Sequence, residues 1–221
     1  MKFGVVRFPG SCDDVDALLA AERVGEAVML WYADRDLQGV DAVIIPGGFS
    51  YGDYLRPGAI ARFAPVLEAV SEFARDGGLV LGICNGFQVL CEAGLLPGAL
   101  LPNLSLRFVC RQVWLDVISE YSPFTRSCPL GEPLSIPVKH TTGRYYAPDH
   151  GLADTQVLLR YAPGQNPNGS DRDIAGVCNA AGNVFGLMPH PEHAVDPLTG
   201  SSDGLAIFES IRAHVADRVV A

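Results

Sequence analysis

Leu79-Val80-Leu81-Gly82-Ile83 is apolar at every position. An uninterrupted run of that length fits a strand covered on both faces, as at the centre of a parallel sheet. Around it the first half of the chain alternates between strand and helix patterns. Phe3–Phe8 predicts a strand stopped by Pro9-Gly10, followed by a helix with Val15, Leu18 and Leu19 as apolar positions, which Asp13 or Asp14 can cap. Strands are predicted at Ala27–Tyr32 and Asp41–Ile45, the second ended by Pro46-Gly47-Gly48. Pro65 suits the first turn of a helix carrying Val66, Leu67, Val70 and Phe73 on one stripe, and Gly77-Gly78 ends it. After the central strand, Asn85–Ala93 reads as helix.

The second half reads differently. Leu104–Ile118, Leu134–Val138, Val157–Tyr161, Ile174–Asn179 and Asn183–Met188 are strand-like with few helices between them. Gly182-Asn183 suggests a hairpin turn. A last helix, capped by Asp203, repeats Leu205, Phe208, Ile211, Val215 and Val219 every three or four residues. The order predicts an α/β sandwich with a mostly parallel central sheet. No linker divides residues 1–221, so a single domain is expected. Long loops fall at Phe49–Pro57, His140–Gly151, Pro163–Asp173 and Pro189–Ser202, and loops of that length are often functional.

Composition narrows the classes. With 16 Lys+Arg against 25 Asp+Glu the formal charge is −9, which makes nucleic-acid phosphates a poor partner. Hydrophobic residues make up 48%, enough for a sizeable core. The six cysteines form no C-x-x-C pair, so neither a zinc ribbon nor a dithiol redox motif is expected, and no metal site is. The N-terminus reads as a strand rather than a signal peptide, and the most apolar stretch, 77–91, is too short and glycine-rich to span a bilayer. A cytoplasmic protein with reduced thiols and no membrane association is expected.

The chemistry concentrates after the central strand. Gly82-Ile83-Cys84-Asn85-Gly86 is Gly-x-Cys-x-Gly between a buried strand and a helix, the pattern of a nucleophile elbow. The glycines remove side chains that would collide at the sharp turn. Cys84 then stands at the carboxyl edge of the sheet and at a helix N-terminus, whose dipole favours a thiolate. Without the flanking glycines, a cysteine between strand and helix is more often a small buried apolar residue. Of the five histidines, His190 is the best-placed base. Prolines stiffen the chain on both sides of it, and Glu192, two residues on, falls on the same side of an extended segment to orient the ring. A proline-rich turn with an incidental acid is the plainer alternative. His140 and His150 flank a loop, and His193 reads as an ordinary surface residue. Acyl transfer also needs N–H groups facing the oxyanion. Asn85 supplies one, and Pro46-Gly47-Gly48-Phe49 supplies another, with Gly48 preferred over Gly47, although a simple tight turn would use the same residues.

Taken together, Gly82–Gln88 and Pro189-His190-Pro191-Glu192 resemble the class I, triad-type glutamine amidotransferases. The stretches 8–13, 46–58, 166–170 and 186–194 are similar to the glutaminase subunits of an ATP-dependent synthetase of purine biosynthesis, and the resemblance runs from about residue 3 to about residue 212. It implies a three-layer, flavodoxin-like sandwich with Cys84 as nucleophile, His190 as general base and acid, Glu192 as its orienter, and Gln88 as a contact for L-glutamine. It further implies a large synthetase subunit, a small third subunit and transfer of ammonia through an internal channel. No cofactor is expected in this chain, with ATP and magnesium on the partner. The segments around Tyr51–Arg56 and Asn166–Asp173 are candidate docking faces. Three positions depart from the family pattern: an Asn is missing from the first loop, Thr141-Thr142 stands where Gly-Glu is usual, and His193 where Arg is common. A stand-alone cysteine peptidase or γ-glutamyl hydrolase would use the same elbow, and a non-catalytic binding module would need neither thiolate nor imidazole.

Overall fold

The structure, a computed structural model, describes residues 1–148 and 151–220, the side chains of 219 and 220 excepted; His150 and the Val219 side chain therefore lie outside the described residues. The apolar runs of the first half become β1 (Lys2–Arg7), β2 (Glu26–Trp31), β3 (Ala42–Ile45) and β4 (Leu79–Ile83), with α1 (Asp14–Glu22), α2 (Pro65–Arg75) and α3 (Asn85–Glu92) between or after them. All residues of β3 and β4 are buried, as expected for strands covered on two faces. The second half supplies β5 (Ala99–Leu101), β6 (Val109–Val117), β7 (Leu134–His140), β8 (Arg144–Tyr146), β9 (Val157–Tyr161), β10 (Ile174–Cys178), β11 (Val184–Leu187) and the last helix, α4 (Leu205–Val220).

The strands form a nine-stranded sheet in the order β2-β1-β3-β4-β11-β10-β9-β6-β7. From β2 to β11 the pairings are parallel; from β11 to β7 they are antiparallel. The expected parallel sheet is thus continued by the strand-rich second half as a ribbon of antiparallel neighbours. β11 is the seam, parallel to β4 on one side and antiparallel to β10 on the other. The turn joining β10 to β11 closes with the Gly182 N–H donating to the Asn179 carbonyl at 3.0 Å. Among the described residues no helix is long and apolar enough to cross a membrane.

Four local expectations need correction. Helix α1 turns Ala17, Ala20 and Ala21 to the core, while Val15 and Leu19 are about half exposed. Small residues let the helix lie close on the sheet. Neither Asp13 nor Asp203 caps its helix: the Asp13 side chain makes no capping bond, and the Asp203 carboxylate accepts the Ser135 N–H at 2.7 Å instead. The strand expected from Leu104 begins only at Val109, because buried Asn103 draws residues 103–107 into a loop by donating to the carbonyls of Arg107 and His140, both at 2.9 Å. β8 lies within the segment read as a loop after His140, where it pairs with β5 in a separate two-stranded sheet.

Candidate active site

The elbow is forced by packing. Ile45 of β3 lies opposite Gly82 of β4, and a side chain at Gly86 would run into the Ile45 carbonyl oxygen. At Gly82 a Cβ would sit 2.8 Å from the Gly86 backbone. Helix α3 can therefore begin directly against the sheet. Between the two glycines the chain takes a left-handed conformation at Cys84 (φ 51°), unusual for a side-chain-bearing residue and typical of a nucleophile turn. The Cys84 N–H donates to the Leu187 carbonyl at 2.8 Å, which ties the elbow to β11. Its sulfur faces a cavity of about 70 Å³, also lined by Asp13, Gly48, Asp53, Gln88 and His190.

The structure brings the sequence-predicted residues into one place. His190 follows β11, is wholly buried, and is held by its N–H donating to the Pro137 carbonyl at 2.8 Å. Its Nδ1 lies 2.6 Å from Glu192 Oε1. Nε2 has no hydrogen-bond partner among the described residues and is left for the cavity it shares with Cys84. Burial alone would favour neutral imidazole, but the negative charges of Glu192 and of Cys84 as thiolate outweigh it and raise the His190 pKa to about 10. Gly48 (φ +141°) lines the cavity where any Cβ would sit 2.6 Å from the Cys12 nitrogen and 2.8 Å from the Gly10 oxygen. The Gly48 N–H has no acceptor among the described residues. Asn85 opens α3, so its N–H has no intrahelical acceptor either.

The amide side chains are more committed to the protein than the sequence suggested. Asn85 Oδ1 accepts the Ser50 N–H at 3.0 Å, and Asn85 Nδ2 donates to Gln88 Oε1 at 2.8 Å and to Asp53 Oδ1 at 3.3 Å. Gln88 Nε2 donates to the Thr142 carbonyl at 2.5 Å. Gln88 lines the cavity, but both ends of its amide already have protein partners. Burial pushes the Asp53 carboxyl up to about 6, with the Asn85 hydrogen bond opposing.

Two charged residues of the site, Asp13 and Lys139, were not read as functional from the sequence. Buried Asp13 is bonded to the Lys139 ammonium and, at 3.4 Å, to His193 Nε2; its other oxygen is 3.7 Å from His190 Nδ1. Burial favours the neutral acid, but the His193 bond and the charges of His190 and Lys139 hold the Asp13 carboxyl well below the usual range. His193, read as an ordinary surface residue, belongs to this cluster. His140 closes the floor, with Nδ1 3.1 Å from Asn103 Oδ1 and Nε2 3.4 Å from Asn168 Nδ2; burial, aided by the His190 charge, lowers its pKa to about 4. Asp13 and His193 lie in stretches quoted for the family resemblance and Lys139 stands just before the Thr141-Thr142 departure from it, yet nothing local distinguishes them from a cap and two surface charges. Asp13, His190, Glu192 and His193 offer ligand atoms within 4.8 Å of one another. The Lys139 ammonium already occupies Asp13 there, which argues for a charge network rather than a metal centre.

This geometry places a cysteine at a nucleophile turn beside a buried His–Glu pair on the edge of an α/β sheet. The chain belongs to the CobB/CobQ-like glutamine amidotransferase family, whose profile matches residues 1–213. Within that family it groups with the PurQ subunits of phosphoribosylformylglycinamidine synthase. It is 61% identical to that subunit from Rubrobacter xylanophilus over 218 residues, covering 96% of this chain and 98% of the relative. It is 55% identical to the one from Salinibacter ruber over 228 residues, with 97% of each covered. A chain of the structure titled PurLQS from Thermotoga maritima superposes with a TM-score of 0.90 at 46% identity, covering 97% of this chain and 98% of that one. A putative GMP synthase subunit from Thermoplasma acidophilum shares the fold, with a TM-score of 0.70 at 15% identity over 100% of this chain and 96% of that one.

Proposed function

We propose that this chain hydrolyses L-glutamine to glutamate and ammonia and hands the ammonia to an ATP-dependent synthetase subunit. That subunit converts formylglycinamide ribonucleotide to formylglycinamidine ribonucleotide in purine biosynthesis. The observation that carries the reading is the juxtaposition, in one cavity, of Cys84 at a left-handed elbow with an imidazole whose far nitrogen is held by Glu192.

In this mechanism the Cys84 thiolate attacks the side-chain amide carbon of glutamine. The N–H groups of Asn85 and Gly48 receive the oxyanion. His190, oriented by Glu192, passes its proton to the departing ammonia, leaving a γ-glutamyl thioester. A water that returns a proton to His190 then attacks the thioester and releases glutamate and the thiolate. None of these steps calls for a cofactor in this chain; ATP and magnesium belong to the synthetase subunit. A small third subunit and a cytoplasmic location complete the proposal. Ammonia set free in neutral water becomes non-nucleophilic ammonium, so transfer within a complex is chemically favoured.

The test is glutamate release from glutamine with and without the synthetase subunit and its nucleotide substrate. Strong partner dependence is expected. Robust peptide cleavage by the chain alone would instead favour the stand-alone hydrolase, and undiminished function in Cys84→Ser would favour a binding module.

A further inference from the structure

The charges lining the cavity are unequally matched. Asp13 has Lys139 and His193, and the His190 ring has Glu192. Asp53 is half buried and accepts one long hydrogen bond, 3.3 Å from Asn85 Nδ2. Among the described residues it has no ion-pair partner. The backbone around it is left-handed at Tyr51, Gly52, Asp53 and Leu55. In that loop Tyr54 and Leu55 are solvent-exposed while Asp53 lines the cavity. A carboxylate without a cation in a partly desolvated site is costly, as the upward shift of its pKa reflects. Asn85, its only hydrogen-bond donor among the described residues, directly follows the nucleophile, so Asp53 stands about one side chain from the elbow.

Glutamine presents its amide at one end and an ammonium at the other. Building on the glutaminase reading, we propose that Asp53 binds the α-ammonium group of the substrate and so makes the site select an α-amino acid amide. The substrate would supply the cation that the protein leaves out. The Asn85–Gln88 bond then becomes a brace that aims Asn85 Nδ2 at the carboxylate.

The experiment compares glutamine with glutaramate, the same amide with hydrogen in place of the α-ammonium group, as substrates of the chain complexed with its synthetase subunit. The wild-type complex is expected to prefer glutamine by about 100-fold or more in kcat/KM, since a partly desolvated group built to pair with a substrate charge is left unpaired by the analogue. In Asp53→Asn that preference collapses: glutamine loses most of its advantage, chiefly through KM, while glutaramate turnover stays within about threefold. An equal fall for both amides would assign Asp53 a purely structural role and overturn the proposal, as would a preference that survives the substitution. If the wild-type complex hydrolysed neither amide, the glutaminase reading itself would fail, a result distinct from the other two. Should Asp53→Asn not fold, Asp53→Ser carries the same comparison, with calorimetric binding of the two amides in a Cys84→Ala background as a readout free of turnover.

Discussion

The two sides of the cavity are built on opposite plans. On the imidazole side, His190, Glu192, Asp13, Lys139 and His193 form a continuous charge network between the end of β7 and the segment after β11. His190, Glu192 and Asp13 are at most 3% exposed. On the loop side, residues 49–57 leave the sheet in a strained path, show Tyr54 and Leu55 to solvent, and point one unmatched carboxylate inward. The difference separates two tasks. Proton transfer needs a rigid and electrically satisfied partner. Substrate entry and partner docking suit a surface whose needs are met only when something binds.

That contrast can be broken at several points, the largest effect first. Cys84→Ala should reduce glutamine hydrolysis by the complex by roughly 10³-fold or more while leaving glutamine binding measurable by calorimetry. Retained turnover would remove the sulfur from the mechanism. Glu192→Gln should cost roughly 10²-fold in kcat, because the amide can no longer hold imidazolium; an NMR titration should show the His190 pKa falling. Asp13→Asn should cost about tenfold in kcat/KM, since it deprives the Lys139 ammonium of its partner and removes a charge 3.7 Å from His190. On the rim, Leu55→Glu should weaken synthetase binding by about tenfold in a calorimetric titration without moving the melting temperature, because Leu55 is 88% exposed.

The smallest expected effect is on stability. His140 has a folded pKa near 4 against an ordinary 6.5, so the unfolded chain binds the extra proton first. Stability from this residue is present above pH 6.5 and is lost as pH falls toward 4. His190, raised to about 10, keeps its full contribution below pH 6.5 and loses it only as pH rises through 10. Asp53, raised to about 6, acts in the opposite sense to His140 and destabilises as it ionises between its ordinary 3.8 and 6. The clean readout is therefore the difference in urea midpoint between wild type and His140→Asn. That difference should shrink from pH 7 to pH 4.5; a constant difference would count against a buried neutral imidazole.

What could be read from residues alone followed the range of the interactions involved. The elbow was legible because its cause is local: two glycines, one cysteine, and a run apolar on both faces. His190 and Glu192 were legible because two prolines and a two-residue spacing set their geometry. Asp13 and Lys139 are 126 positions apart and meet only because β7 and the start of α1 converge on the same edge. The α1 face was misread for a related reason. Alanines look indifferent in a periodicity argument, yet they are what allows close approach to the sheet. β8 was missed because three residues paired with another three carry almost no pattern of their own.

The register between β3 and β4 has one more consequence. Ile45 sits opposite Gly82; the nucleophile lies two residues beyond one and the Gly48 amide three beyond the other. The two turns that carry attacking atom and amide donor thus leave the sheet from neighbouring strands, about 4.8 Å apart at their roots. A docked synthetase that reshapes the rim would act beyond those roots. The sheet sets where the two groups start, and the turns set how they finally face each other.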